Sequence, residues 1–295
     1  MKVYKPRKGI AIYELLFLFI IINVLAMYVL RLLNSYLALT LVRVCMVAFS
    51  IYSIYYILVA LTLTYNITDN YIEINSLYGL KRIKLNLSNV DGYHIQKNSI
   101  KGIQLSGVGK FKYSFGRSVI EGAGITYMFV TSSKESLYLH TDDMAYGISP
   151  EEIKDFKDML EQNGIKEKVF ETKKSKETHL FKQKTFFVPF IIVTIVIIFM
   201  TLNPFILYLA QKLPDKMPIM FNASFMPVVW GSGKQFAFKQ MMYGAMNMVI
   251  LFCMHYAAYF CAKYDKKSAY KYIYVALICA LTFLVMQIKI LSIYM

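Results

Sequence analysis

Catalysis needs nucleophiles, acids, bases or metal ligands brought together, and this chain offers few candidates. Its four histidines, His94, His140, His179 and His255, form neither an HExxH run nor a Cys/His cluster. Its four cysteines, Cys45, Cys253, Cys261 and Cys279, contain no CxxC pair. Cys253 and Cys261 would stand about 12 Å apart on one helix, too far for a disulfide. All four are expected as small apolar packing groups. Gly102, Gly107 and Gly109 do not follow a strand and open a helix, so no phosphate loop is expected, and residues 106–109 read as a turn. No G-x-S-x-G elbow occurs. The chain is expected to be non-enzymatic, with no cofactor and no metal.

Ionisable groups within apolar stretches remain functional candidates, because burying them is costly. Glu14, Arg43 and His255 are of this kind. Glu14 lies about one turn into its stretch. Arg43 lies about two turns into the next, at a mismatched depth, so a direct pair is not expected and each can snorkel. His255 reads as a packing histidine, with a polar cavity shared with Asn247 or Gln287 as the functional alternative. Lys289 reads as an anchor, and Tyr52, Tyr55 and Tyr56 as a packing stripe.

The elements that would carry these residues are apolar helices. Hydrophobic residues make up 57% of the chain and charged residues only 17%, well below a soluble protein's share. Five stretches, 10–32, 36–64, 186–211, 238–261 and 272–294, are long and apolar enough to span a bilayer. The first, preceded by Lys2, Lys5, Arg7 and Lys8, is too long for a signal peptide and lacks a small-residue cleavage site, so it is expected as an anchor. Lysines cluster in that tail, in the 166–185 linker and at Lys263, Lys266, Lys267 and Lys271, which share one side if all five helices span. That side is expected to be cytoplasmic, with the C-terminus extracytoplasmic. The net charge of +15 is therefore assigned to topology and to a lipid bilayer with anionic headgroups, not to nucleic acid. The linker is expected as a solvated connector to the membrane, with attraction to those headgroups as the functional alternative.

Residues 65–165 have a different pattern. Short β-prone segments at 71–74, 82–85, 92–96, 110–115, 125–131 and 136–140 alternate with Gly, Asn, Ser and Asp. Residues 76–79 read as a turn. The sequence Ile148-Ser149-Pro150-Glu151-Glu152 predicts a helix capped by Ser149, with Ile153, Phe156 and Leu160 on one face and Gly164 at its end. The fold class expected is a five-helix membrane protein with an inserted curved β-sheet closed by a C-terminal helix. Its segments are a two-helix hairpin over 1–64, the β-rich domain over 65–165, the linker, and a three-helix region over 186–295 with an outer loop at 212–236.

Residues 65–165 resemble a bacterial pleckstrin-homology (PH) domain. The last strand around Ser136-Leu137-Tyr138-Leu139-His140, running into Tyr146-Gly147-Ile148-Ser149-Pro150, is similar to membrane-tethered members of that family. The resemblance implies binding or assembly rather than catalysis. A second segment, Leu213-Pro214-Asp215-Lys216-Met217-Pro218-Ile219-Met220-Phe221-Asn222, then Trp230-Gly231-Ser232-Gly233-Lys234, resembles the loop of the Sdp-type immunity proteins over about residues 186–262. It departs from that pattern at Met220, where the family has His, near Phe225, where it has Gly, and at Val228 or Val229, where it has an acidic residue. The residues that survive suggest a shaped recognition loop. Pro214 and Pro218 stiffen it, Asn222 can bond the backbone, Phe221 and Trp230 offer apolar surface, and Asp215 and Lys234 carry charge.

Two functions follow as expectations. In the first, the protein protects the envelope against membrane-active peptides or toxins through the outer loop. In the second, it is a membrane-anchored scaffold or sensor whose PH-like domain docks a protein partner. A transporter or membrane hydrolase would need a polar path or catalytic set that the sequence does not display.

Overall fold

A computed structural model describes residues 2–68, 70–170 and 180–295, apart from the side chain of Lys267. Lys173, Lys174, Lys176 and His179 lie outside these residues. The chain forms two compact units, residues 1–22 with 49–174 and residues 23–48 with 175–295.

The first unit begins with β1 (Lys2–Tyr4). The helices α1 (Ala11–Leu32) and α2 (Tyr36–Leu61) follow, and each contributes to both units. Only two residues then intervene before β2 (Thr64–Ile67). The second apolar stretch thus ends at Leu61, three residues earlier than expected, and Thr64 belongs to a strand. β3 (Tyr71–Ser76) and β4 (Lys81–Asn86) complete an antiparallel sheet of order β1-β2-β3-β4. The strands β5 (Val90–Lys97), β6 (Gly102–Lys110), β7 (Tyr113–Ile120), β8 (Gly124–Val130), β9 (Glu135–Thr141) and β10 (Ala145–Ile148) form a second sheet of order β5-β9-β10-β8-β7-β6. The helix α3 (Ile153–Gln162) buries Ile153, Phe156 and Leu160, the face read from the sequence.

Four local expectations are corrected. Residues 110–115 are not one strand: they are the end of β6, a turn at Phe111 and Lys112, and the start of β7. A short alternating run looks the same whether it continues or doubles back. Residues 106–109 lie within β6 rather than in a turn. Gly107 and Gly116 face each other across β6 and β7 at φ +100° and +106°, where a side chain on either would strike the other strand's backbone. Ser149 does not cap α3, whose N-cap is Glu152 with no side-chain bond. The Ser149 hydroxyl instead accepts from the Thr131 amide at 2.9 Å, so a tertiary partner has displaced the local one. The linker is not wholly a free connector either. The Tyr93 amide donates to the Lys166 carbonyl at 3.1 Å and the Lys168 amide to Tyr93 at 2.8 Å, which lays the start of the linker along β5.

A large core cluster runs through this unit, beside a smaller one of Ile100, Ile120, Met128, Val130 and Tyr138. The large cluster contains Ala11 and Leu15 of α1 and Tyr56, Ile57, Val59 and Ala60 of α2, together with Tyr65, Phe115, Phe129, Leu137 and Phe156 of the β-rich region. Tyr4 of β1 joins it through an edge-to-face contact with Phe156 at 5.3 Å. The N-terminal tail is thus part of the β-structure and not only a charge signal.

The second unit holds α4 (Lys184–Leu209), the hairpin strands β11 (Met217–Phe221) and β12 (Pro227–Gly231), α5 (Gly233–Ala262) and α6 (Lys266–Tyr294). α5 and α6 each start several residues before their apolar stretches. α4, α5 and α6 pack on one another, with Gly244 of α5 admitting Thr201 of α4. Among the described residues, five helices are long and apolar enough to cross a membrane. α1 buries only Ala11 and Leu15 within the protein and exposes Phe17, Ile20, Val24 and Leu25. An apolar helix left open this way is suited to lipid.

Candidate functional site

Three places gather the residues of interest. The first is the β11–β12 hairpin in the second unit. Pro218 and Phe221 are buried, and Met217 and Phe221 pack with Phe236, Met286 and Ile290. Asn222 shapes the tip: its Oδ1 accepts from the Ser224 amide at 3.0 Å and the Met226 amide at 2.9 Å. Phe221 stacks on Phe225 at 4.4 Å. Lys289 lies over Phe225 at 3.9 Å and donates to the Tyr36 hydroxyl at 3.0 Å. Lys289, read from the sequence as an anchor, thus links Phe225 of the hairpin turn to Tyr36. Asp215 and the exposed Trp230 line one recess with Lys216, Gly231 and Ser232. Lys234 is exposed, and Pro214 is half-buried away from that recess. Met226, Val228, Val229 and Trp230 are exposed apolar groups of this hairpin.

Part of the loop pattern turns out to be junction chemistry. The Ser232 hydroxyl accepts from the Gln235 amide at 3.3 Å while Gln235 bonds the Ser232 amide at 3.0 Å, a capping box that starts α5. The Ser-x-x-Gln signal was present in the sequence. Phe225, Tyr36 and Lys289 carried no such signal, because their contact joins three distant segments.

The second place is the end of the α1–α2 pair in the first unit. Glu14 pairs with Lys110, at the β6–β7 turn, and not with Arg43, which is exposed on α2. Lys81 sits in an aromatic box, 5.0 Å from the Tyr127 ring centre and 4.9 Å from that of Phe129, and donates to the Tyr55 hydroxyl at 3.0 Å. Burial acts to lower its pKa, but bonding to Tyr127 and Tyr55 outweighs burial and raises it. Tyr55, from the predicted stripe, thus cages the chain's own lysine. The β3–β4 turn carries Leu77, Tyr78 and Gly79 in succession at φ +56°, +54° and +87°. Two bulky residues in that region are strained. Tyr78 and Leu80 are almost fully exposed there, and the Leu77 amide donates to Thr62, just past α2, at 2.6 Å.

The third is the interior of α4–α6. His255 of α5 lies among aromatic rings. It packs against Phe181, Phe186 and Phe190 at 5.2, 6.0 and 5.7 Å. Asn247 donates to the Tyr243 carbonyl at 2.9 Å and Gln287 to the Met200 carbonyl at 2.9 Å. Among the described residues no three His, Cys, Asp or Glu side chains are placed to hold a metal ion.

Residues 63–164 match the bacterial PH domain family. An uncharacterised protein of Clostridium acetobutylicum is 35% identical over 290 residues, covering 98% of each chain. No solved structure matches. The likeness to the Sdp-type immunity proteins is not among these matches and rests on the loop residues alone.

Proposed function

The chain belongs to one family with that Clostridium acetobutylicum protein and carries a bacterial PH domain, and on this premise we propose that it is a non-enzymatic integral membrane protein whose PH domain is seated on the bilayer as a docking platform. The observation that carries the reading is the shared core. Ala11, Leu15, Tyr56 and Ala60 from the ends of two apolar helices are buried with Phe115, Phe129 and Leu137 of the domain. A domain built this way is held at the helix ends and not tethered by a free linker, so ordering cost at the surface is already met when a partner arrives. The lysine distribution favours a cytoplasmic domain and an extracytoplasmic C-terminus.

Exposed Ile103 on the outer strand β6 and exposed Asp158 on α3 sample surfaces directed away from the core. A photo-crosslinking residue at each position, in the full chain in native membranes, is expected to yield a discrete protein adduct from at least one. Absence of any adduct, with the chain present at normal abundance, would remove the docking role.

A second reading, protection against membrane-active peptides, is favoured by the exposed apolar side chains of Met226, Val228, Val229 and Trp230. Under it, Val228→Asp with Trp230→Ala abolishes protection in a peptide challenge while leaving abundance unchanged. Equal survival of the variant would dismiss it.

A further inference from the structure

Lys8, Lys112 and Lys134 line one recess with the buried Ser132 and Ser133 and with Asn98, all within the first compact unit. Four neighbouring basic groups are matched by carboxylates: Arg7 and Lys97 share Glu135, Lys110 takes Glu14, and Lys2 takes Asp155. Lys8, Lys112 and Lys134 have no carboxylate partner among the described residues. Three like charges around one recess attract an anion.

The depth of the recess is set by the fold. The Arg7 amide donates to the Ser149 carbonyl at 2.7 Å, and Thr131 donates to the Arg7 carbonyl at 2.8 Å. Gly9 then passes so close to the Thr131 carbonyl that a methyl group there would overlap it. Lys8 is thereby held against the sheet, and α1 starts at Ala11. On the other wall, Lys112 follows Phe111, which is 75% exposed, and Lys110, whose partner Glu14 lies in the first turn of α1. The recess therefore sits level with the entry of α1 into its apolar stretch. Exposed Ile10 forms part of its lining.

We propose that this recess binds the phosphate of an anionic phospholipid, an inference that rests on the membrane reading above. The three ammonium groups neutralise the phosphate, and the Ser132 hydroxyl, which accepts from the Lys134 amide, keeps its proton for a phosphate oxygen, while Ser133 donates to the Asn98 carbonyl. Ile10 and Phe111 meet the acyl side. A soluble phosphate would use the lysines and the Ser132 hydroxyl but would leave those two apolar groups in water.

The test uses the full chain in mild detergent, titrated with phosphatidylglycerol or phosphatidylcholine and read by native mass spectrometry. The variant Lys8→Gln/Lys112→Gln/Lys134→Gln removes exposed side chains only. Lys84→Gln/Lys154→Gln/Lys166→Gln is the charge-matched control on exposed sites elsewhere. Phosphatidylglycerol affinity is expected to fall roughly fivefold per lysine in the first variant, about 100-fold in all, and less than threefold in the control. Phosphatidylcholine retention stays unchanged. Equal losses in the two variants overturn the site. Inorganic phosphate that binds the wild type and displaces phosphatidylglycerol at equal concentration overturns the lipid in favour of a free anion. Extraction of membranes with alkaline carbonate separates the two levels. Release of the wild-type chain sinks the membrane reading itself, whereas a retained chain with unaltered lipid binding sinks only the recess.

Discussion

Replacing Tyr65 by Phe removes one oxygen from the centre of the domain and almost no volume. That hydroxyl donates to the Phe129 carbonyl at 2.7 Å and accepts from the Ser149 amide at 3.1 Å. Tyr65, Phe129 and Ser149 are each no more than 1% exposed, so water cannot take the vacated place. Burial also holds the Tyr65 phenol well above its ordinary pKa, so it remains a donor at any working pH. Two buried groups lose a partner, and a loss of about 1–3 kcal/mol for each gives about 2–4 kcal/mol once the carbonyl's second lone pair is considered. Tyr93→Phe is the matched control. Its hydroxyl bonds Glu161 at 2.8 Å, but that carboxylate is half exposed and water replaces the bond, so about 1 kcal/mol or less is expected. Pulse proteolysis of the reconstituted full chain across a urea series measures both. A smaller loss for Tyr65→Phe than for Tyr93→Phe would refute the reasoning that this hydroxyl ties β8 to the entry of α3.

Three more outcomes are expected. The Asp155 carboxyl is held below its usual value of 3.8 by hydrogen bonds from Lys2 and then Tyr4, and Lys2 is held above 10.5 by Asp155. The Asp155 contribution is present above pH 3.8 and lost as pH falls through its lower folded value; the Lys2 contribution is present below pH 10.5 and lost as pH rises through its higher one. A spin label at Val3→Cys should become mobile only at those two extremes, and mobility changing between pH 5 and 9 would contradict the pairing. Gly9→Ala forces the strap away from Thr131, with a loss of about 1–3 kcal/mol in the urea assay and a mobile label at residue 3 at neutral pH; wild-type behaviour would show that the close approach is dispensable. Asn222→Ala removes two amide bonds at the hairpin tip, so deuterium uptake over residues 217–231 should rise about fivefold, for about 1 kcal/mol, with α5 unchanged; uptake rising equally in α5 would mean that the change spreads beyond the turn.

The sequence displayed those features whose signal is local. Long apolar runs mark α1, α2, α4, α5 and α6, and the 3.6-residue spacing of Ile153, Phe156 and Leu160 marks the buried face of α3. Signals that depend on distant partners were hidden. β1 has three residues, two of them exposed, and reads as a charged tail because its partner strand follows two helices later. Ser149 has the right type for a cap, but α3 starts only at Ile153 and the Ser149 hydroxyl is taken by the Thr131 amide. The glycines of β6 suggest a turn until Gly116 is placed opposite Gly107. In the candidate hairpin, Asn222 could be read as a backbone-bonding residue from its type. The Phe225–Lys289–Tyr36 contact could not, since no periodicity links those positions. Nor could the recess of Lys8, Lys112 and Lys134, whose lysines come from three separate turns and loops.

The pairing of Lys2, Val3 and Tyr4 with Ile67, Asn66 and Tyr65 has a bearing on biogenesis. β1 is made before α1 and α2, and its partner strand β2 follows only after both. In a chain inserted into a bilayer, the pairing can form only if both helices cross, so that the two strands emerge into the same compartment. Failure of either helix to insert would strand Lys2–Tyr4 across the membrane from β2, leaving a bare sheet edge and an unfilled place beside Phe156. Closing the edge of this sheet with β1 would thus depend, in such a chain, on the threading of both helices that separate the two strands.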